Sequence, residues 1–172
     1  FKLKPGLGLK ISAAARAAAA HYNQFTAETG VRFEEVDEFY EGDHIRVVMA
    51  SDPNEPSHCF YTNSKGVKQY VPCSEWIGYK GGTQRIWLNI VDNISIWQVA
   101  AHEFGHALGQ FHEHSRCERD EFITPAYKGA VEGPYCALAT TEPYNTWSIM
   151  HYSEGEFAGR ATFNPGVSVP PA

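Results

Sequence analysis

Apolar residues follow two different spacings along the chain. Residues 12–28 contain seven alanines within nine residues and lead to Gly30, a pattern that predicts a capped helix. From position 31 the spacing shortens to that of strands, which predicts strands at 31–36, 44–50, 59–62, 67–72, 76–79 and 85–90. Turn-forming residues separate these segments. The pattern predicts a mixed sheet that carries two helices.

The second predicted helix precedes Gly109. Its apolar side chains recur at helical spacing on one face, which we expect to pack against the sheet: Trp97, Ala100, Phe104 and Leu108. After Gly109 the chain is rich in proline, glycine and short motifs. We therefore expect a first lobe at about 1–109 and an irregular second lobe at about 110–172.

Composition and charge narrow the class of protein. A chain of 172 residues with 43% hydrophobic content supports one compact domain or two small lobes that share a cleft. It has no run of about 18 apolar residues and opens at Phe1 without a charged and apolar leader, so we expect a mature form with no membrane span. The net charge of −6 argues against a nucleic-acid partner, whose binding needs a basic surface. We expect a monomer.

One short segment carries the side chains of a catalytic metal site. On a helix, His102 and His106 lie on one face about 6 Å apart along the axis, and Glu103 beside them can act on a metal-bound water. On a straight helix His112 would be rotated roughly 240° from His106. Gly109 removes that obstacle, because glycine accepts the positive φ that ends a helix. The spacing predicts a helix, a break and a third ligand to one zinc ion.

A His-Glu-x-x-His pattern alone also occurs on ordinary amphipathic helices. Here it is extended by His112 and followed by Ser148-Ile149-Met150-His151-Tyr152, which matches the methionine turn of the metzincins. The chain resembles the astacin family of metzincins over most of its length. Besides the two motifs, the residues that carry the resemblance are Glu113, Arg116, Arg119 and Asp120 after the third histidine, and Cys73, Trp76, Ile77, Gly78, Gly81, Gly82, Thr83, Gln84 and Leu88 before it.

This resemblance implies an α+β fold of the metzincin, zincin-like type. A mixed twisted sheet and two long helices are expected in the N-terminal lobe, with an irregular C-terminal lobe and one Zn²⁺ in the cleft between them. The chain, 1–172, is then a single astacin-like catalytic domain of a secreted metalloendopeptidase that hydrolyses extended or unfolded protein or peptide substrates. Two other classes stay open: a metzincin of another subfamily, such as a serralysin-like or reprolysin-like enzyme, and a zinc-binding module without turnover.

Each site residue has an expected role. Three imidazoles leave zinc an open position for water, and Glu103 is the general base that takes the water's proton and returns it to the leaving amine. Tyr152 is either a core aromatic or, as the resemblance implies, a zinc-proximal side chain that stabilises the oxyanion. Met150 is a packing residue beneath the imidazoles, since a thioether suits this donor set poorly. The histidines without metal spacing, among them His114, are expected at the surface or in hydrogen bonds.

The expected substrate-binding residues lie in two segments. We expect the substrate to add as an extra strand along Trp76, Ile77, Gly78 and Tyr79, held by main-chain hydrogen bonds. Side-chain preference is expected in a pocket after the methionine turn. There Arg160 offers a positive charge to an acidic residue beyond the scissile bond, a preference that the resemblance implies.

Four cysteines, Cys59, Cys73, Cys117 and Cys136, are compatible with a second metal site, free thiols or two disulfides. No Cys-x-x-Cys pair occurs, and an exported peptidase enters an oxidising space, which favours disulfides. The local connectivity, Cys59 with Cys73 and Cys117 with Cys136, closes two short loops. In astacins, one disulfide typically joins the position of Gly30 to the carboxy terminus and another joins the edge strand to a cysteine just before the zinc helix. This chain lacks the cysteines for both, so it departs from the family here and we expect its bracing to differ.

Overall fold

The computed structural model describes residues 1–55, 57–90, 95–126, 142–153, 157 and 159–169. The chain divides into two units, Phe1–Gln110 and Phe111–Ala172. In the first unit the strands are β1 (Lys2–Leu3), β2 (His44–Met49), β3 (Phe60–Thr62), β4 (Lys68–Tyr70), β5 (Cys73–Ser74) and β6 (Thr83–Leu88), and the helices are α1 (Leu9–Asn23), α2 (Thr26–Thr29) and α3 (Ile96–Ala107).

A four-stranded mixed sheet organises the first unit, in the order β1, β2, β6, β5. The first three strands run parallel, and β5 runs antiparallel to β6 at the edge. Val47 and Val48 on β2, like Ile86 and Leu88 on β6, are fully buried. Successive buried residues indicate that both faces of these central strands are covered, as is usual for parallel strands.

Helices α1 and α3 pack along each other. The buried alanines of α1 permit a close approach, and the Tyr22 hydroxyl donates a hydrogen bond to the Ala101 carbonyl at 2.9 Å. On α3, Ala100 and Phe104 are fully buried, and the Phe104 ring meets Phe33 edge to face at 4.9 Å. The predicted apolar face is therefore buried at its centre, but it contacts α1 and an aromatic side chain as well as the sheet.

The predicted strand at 31–36 is wrong, since this segment contributes only an isolated bridge between Lys2 and Val36. The side chain of Asn23 explains the difference. Its amide donates to the Phe33 carbonyl at 2.9 Å and its oxygen accepts the Phe33 N–H at 2.7 Å. Because a side chain satisfies both backbone groups, the segment needs no ladder partner there.

The predicted strand at 76–79 is also wrong, because the edge strand β5 lies three residues earlier, at Cys73–Ser74. Gly78 has a positive φ of 78°, which bends the backbone out of the extended conformation.

Just before β5 lies the antiparallel hairpin of β3 and β4, and a disulfide joins Cys59 to Cys73 across its base. The second predicted pair stays a prediction, since Cys136 lies outside the described residues.

The second unit has little regular structure among its described residues. Two 3-10 helices, Glu113–Ser115 and Cys117–Glu121, precede the antiparallel pair β7 (Ile123–Pro125) and β8 (Ala161–Phe163). Ile123, Phe157 and Ala161 form a small buried core. In the described part of the whole chain, the helices are all too short or too polar to cross a membrane.

Candidate metal centre

Helix α3 carries the first two candidate ligands and ends as the sequence predicts. The rings of His102 and His106 are perpendicular, with centroids 4.7 Å apart. Gly109 has a φ of +93°, its N–H donates to the His106 carbonyl at 2.9 Å, and the Gln110 N–H donates to the Gly105 carbonyl at 3.0 Å. These two bonds form a Schellman motif, which satisfies the last carbonyls while the chain leaves the helix axis.

The same turn orients one of the ligands. His106 Nδ1 lies 2.7 Å from the Gln110 carbonyl oxygen. A carbonyl only accepts, so Nδ1 carries the proton and Nε2 carries the lone pair that a metal needs. Sequence reasoning missed Gln110, because a backbone carbonyl has no signature in the residue type.

The third candidate ligand follows the turn in extended backbone, with His112 at φ −59° and ψ 131°. One ligand atom from each of His102, His106 and His112 lies within 4.8 Å of the other two. Three imidazoles at this spacing suit a single zinc ion with an open position. A second group of donors, His58, Cys59 and Cys73, contains the two cysteines that are already joined in a disulfide.

Glu103 lies beside the first ligand and is almost completely buried, with 5% of its surface exposed. Its Oε2 has no hydrogen-bond partner among the described residues. Burial raises the pKa of the carboxyl to about 8, against the opposing hydrogen bonds from the hydroxyl and the N–H of Ser74. A buried carboxylate oxygen with no hydrogen-bond partner in the described part of the chain, on the helix that carries two of the three imidazoles, fits a site that a cation and a water molecule complete.

The methionine turn contacts the residue that follows the third histidine. The His151 N–H donates to the Ser148 carbonyl at 2.9 Å and closes the turn, and the Met150 carbonyl accepts the Glu113 N–H at 2.9 Å. Met150 itself is 3% exposed, which agrees with a packing role. The ring of Tyr152 lies 4.7 Å from the ring of His112, centroid to centroid.

Two further residues support the segment of the third histidine, His114 at His112 and Arg116 at Glu113, and sequence reasoning assigned neither of them this role. His114 is buried, and its ring stacks on that of His112 at 4.8 Å. Arg116 donates to the Glu113 carboxylate at 2.9 Å and to the Glu142 carbonyl at 2.6 Å. The alternation of His112 and His114 is the only signal in the sequence for the stacking.

The expected substrate-binding residues are placed differently from the prediction. Trp76, Ile77 and Tyr79 are exposed, but the Gly78 N–H donates to the His106 carbonyl at 2.8 Å and is therefore used within the protein. Arg160 is exposed as well, and its Nε donates to the Phe157 carbonyl at 3.0 Å. Much of the expected pocket around Arg160 lies outside the described residues.

The chain is similar to known zinc metalloproteinases. The model of the Astacin peptidase family matches residues 10–168. Zinc metalloproteinase nas-17 from Caenorhabditis elegans is 34% identical over 95 residues, which are 55% of this chain and 20% of the relative. Bone morphogenetic protein 1 from Xenopus laevis is 27% identical over 126 residues, which are 67% of this chain and 17% of the relative. This chain thus spans about a fifth of these relatives' length.

Among solved structures, high choriolytic enzyme 1, a hatching enzyme zinc-protease from Oryzias latipes (medaka fish), superposes with a TM-score of 0.61. It is 22% identical, and the match covers 97% of this chain and 77% of that one. This likeness shows an α+β, zincin-like fold, and the histidine cluster in it is a candidate metal centre. The family match extends over most of the chain, and the chain belongs to the astacin family of zinc metallopeptidases. The predicted family and fold class are confirmed.

Proposed function

We propose that the chain, 1–172, is a single catalytic domain of a secreted zinc-dependent endopeptidase, with His102, His106 and His112 as the zinc ligands. The observation that carries the proposal is the buried carboxylate of Glu103, directly after the first of three histidines whose ligand atoms lie within 4.8 Å of one another. A metal-binding module without turnover has no need to bury a carboxylate there, since burial of a carboxylate costs free energy. The Cys59–Cys73 disulfide suits an oxidising extracellular space.

Each residue of the site has its own role in peptide hydrolysis. Zinc, when bound, supplies Lewis-acid polarisation of the scissile carbonyl and acidifies water. Glu103 takes the proton of the attacking water and returns it to the leaving amine, a task suited to a carboxyl whose pKa burial has raised. The Gln110 carbonyl holds the His106 imidazole in the tautomer that binds metal. Tyr152, beside His112, donates a hydrogen bond to the oxyanion.

The substrate is an extended protein or peptide segment. β5 is the last strand of its sheet, so its outer edge offers backbone groups to an added strand. This edge is only two residues long. The exposed side chains of Trp76, Ile77 and Tyr79 then contact the substrate beyond the edge, around the bend at Gly78. We place Arg160 at the pocket that selects an acidic residue after the scissile bond.

Casein digestion tests the proposed function. The purified protein should digest casein, lose this activity in a metal chelator and regain it when zinc is added back. Bound zinc should be one ion per chain, measured by elemental analysis. Digestion that continues in excess chelator contradicts a zinc mechanism, and stoichiometric zinc without any digestion identifies a binding module instead.

A further inference from the structure

Ser74 connects the edge strand to the helix that carries the candidate catalytic residues. It lies on β5, opposite Ile86 of β6, and its hydroxyl donates a hydrogen bond to the Glu103 carbonyl at 2.7 Å. That carbonyl lies inside α3, where one lone pair already serves the helix. The bond from Ser74 is therefore additional to the helix, and it fixes the position of Glu103 relative to the strand.

The carboxylate of Glu103 has few hydrogen-bond partners among the described residues. Its Oε2 has no hydrogen-bond partner in the described part of the chain, and the side chain is buried. The hydrogen bond from the Ser74 hydroxyl to the Glu103 carbonyl is thus a direct link between this residue and the edge strand.

A second contact between the same segment and α3 reaches a different residue. The Gly78 N–H donates to the His106 carbonyl at 2.8 Å, about one helical turn beyond Glu103. The backbone of Gly78 therefore supports a candidate metal ligand, whereas the side chain of Ser74 supports the candidate general base. The two functions can be separated by mutation, because a change of the Ser74 side chain leaves the Gly78 bond in place.

We propose that Ser74 is a positioning residue for Glu103, whose hydroxyl holds the general base in the geometry of proton transfer without taking part in zinc binding. The inference rests on the proposed function and deepens it. Removal of a group that orients an active-site residue typically costs about 10- to 100-fold in activity. We expect this loss in kcat, since the substrate and the zinc ligands keep their own contacts.

The test compares Ser74→Thr with Ser74→Val, which have nearly the same shape and differ in the hydroxyl. Both are β-branched and suit a strand. The assay measures kcat and KM on a fluorogenic peptide, together with zinc content and melting temperature. Ser12→Ala is the control, because Ser12 is also buried and its hydroxyl donates to the Leu7 carbonyl at 3.2 Å, on α1.

We expect Ser74→Thr to retain most of kcat and Ser74→Val to lose about 10- to 100-fold, with KM within about twofold and zinc stoichiometry unchanged. Ser12→Ala should keep the wild-type kcat. Equal kcat values for the threonine and valine variants overturn the inference. Loss of zinc or of folding in the valine variant also overturns it, by showing a structural role. A wild-type protein that cleaves nothing refutes the proposed function instead, so the two failures are distinguishable.

Discussion

Gly109→Ala is the substitution that tests how the helix break serves the metal centre. An added Cβ meets only the Gly78 Cα at 3.9 Å, which is an ordinary contact, so space does not oppose alanine. The cost arises from the φ of +93°, which disfavours an L-residue by about 1–2 kcal/mol. For a chain of this size that cost corresponds to a fall in melting temperature of about 2–8 °C.

The structure also predicts that Gly109→Ala binds zinc more weakly than wild type. The turn at Gly109 places the Gln110 carbonyl against His106 Nδ1 at 2.7 Å, and loss of such an orienting bond typically lowers metal affinity about 10- to 100-fold. Gly30→Ala is a matched control, because Gly30 also ends a helix, has a φ of +68° and has open space around it. It should lose a similar amount of stability and keep its zinc.

Melting curves of the apo variants and competitive zinc titration against a chromophoric chelator measure the two effects separately. We expect both variants to melt earlier, with weaker zinc binding confined to Gly109→Ala. Zinc affinity of Gly109→Ala within about twofold of wild type would refute the role of the turn in orienting His106. Equal losses of affinity in both variants would attribute the effect to general destabilisation.

Three further predictions concern other parts of the chain. Burial raises the pKa of Glu55, but hydrogen bonds from Arg85 and Lys4 outweigh it and leave the pKa below the ordinary value of 4.5. Its stabilising effect is therefore complete above pH 4.5 and is lost as the pH falls further, so Glu55→Gln should cost about 1 kcal/mol at pH 7 and progressively less in acid, measured by urea unfolding. A constant difference down to pH 3 contradicts this. Replacement of both Cys59 and Cys73 by serine should cost about 3 kcal/mol by the same assay, the value for a loop of about 15 residues, and an unchanged urea midpoint argues against the bridge. Tyr152→Phe should lower kcat much more than it raises KM on a peptide substrate, and an unaltered kcat removes the oxyanion role.

The sequence was sufficient to predict the elements that depend on local spacing. The helix break at Gly109 was predictable because a straight helix would rotate His112 away from His106. The structure has a positive φ at Gly109. The strands at 44–50 and 85–90 occur within a few residues of their predicted bounds, because continuous apolar runs indicate central strands. The alanine-rich segment folds as α1. The observed helix, Leu9–Asn23, begins and ends earlier than the predicted one at 12–28.

The errors arise where a specific hydrogen bond or a positive φ, and not the spacing of apolar residues, decides the backbone conformation. Asn23 satisfies the backbone of Phe33, and Gly78 bends the segment that alternation assigned to an edge strand. The supporting contacts of the candidate site were missed for a similar reason. Ser74, Gln110 and Arg116 act through hydrogen bonds to carbonyls, carboxylates or ring nitrogens, and these partners are defined only once the chain has folded.

The most direct test of the central claim is the rate of peptide cleavage by Glu103→Gln, measured with its zinc content. Glutamine keeps the size of the side chain but cannot accept and return a proton, so it separates catalysis from metal binding. We expect one zinc ion per chain, as in wild type, and a loss of turnover by several orders of magnitude. Near-normal turnover with zinc bound would contradict Glu103 as the general base and with it the proposed mechanism.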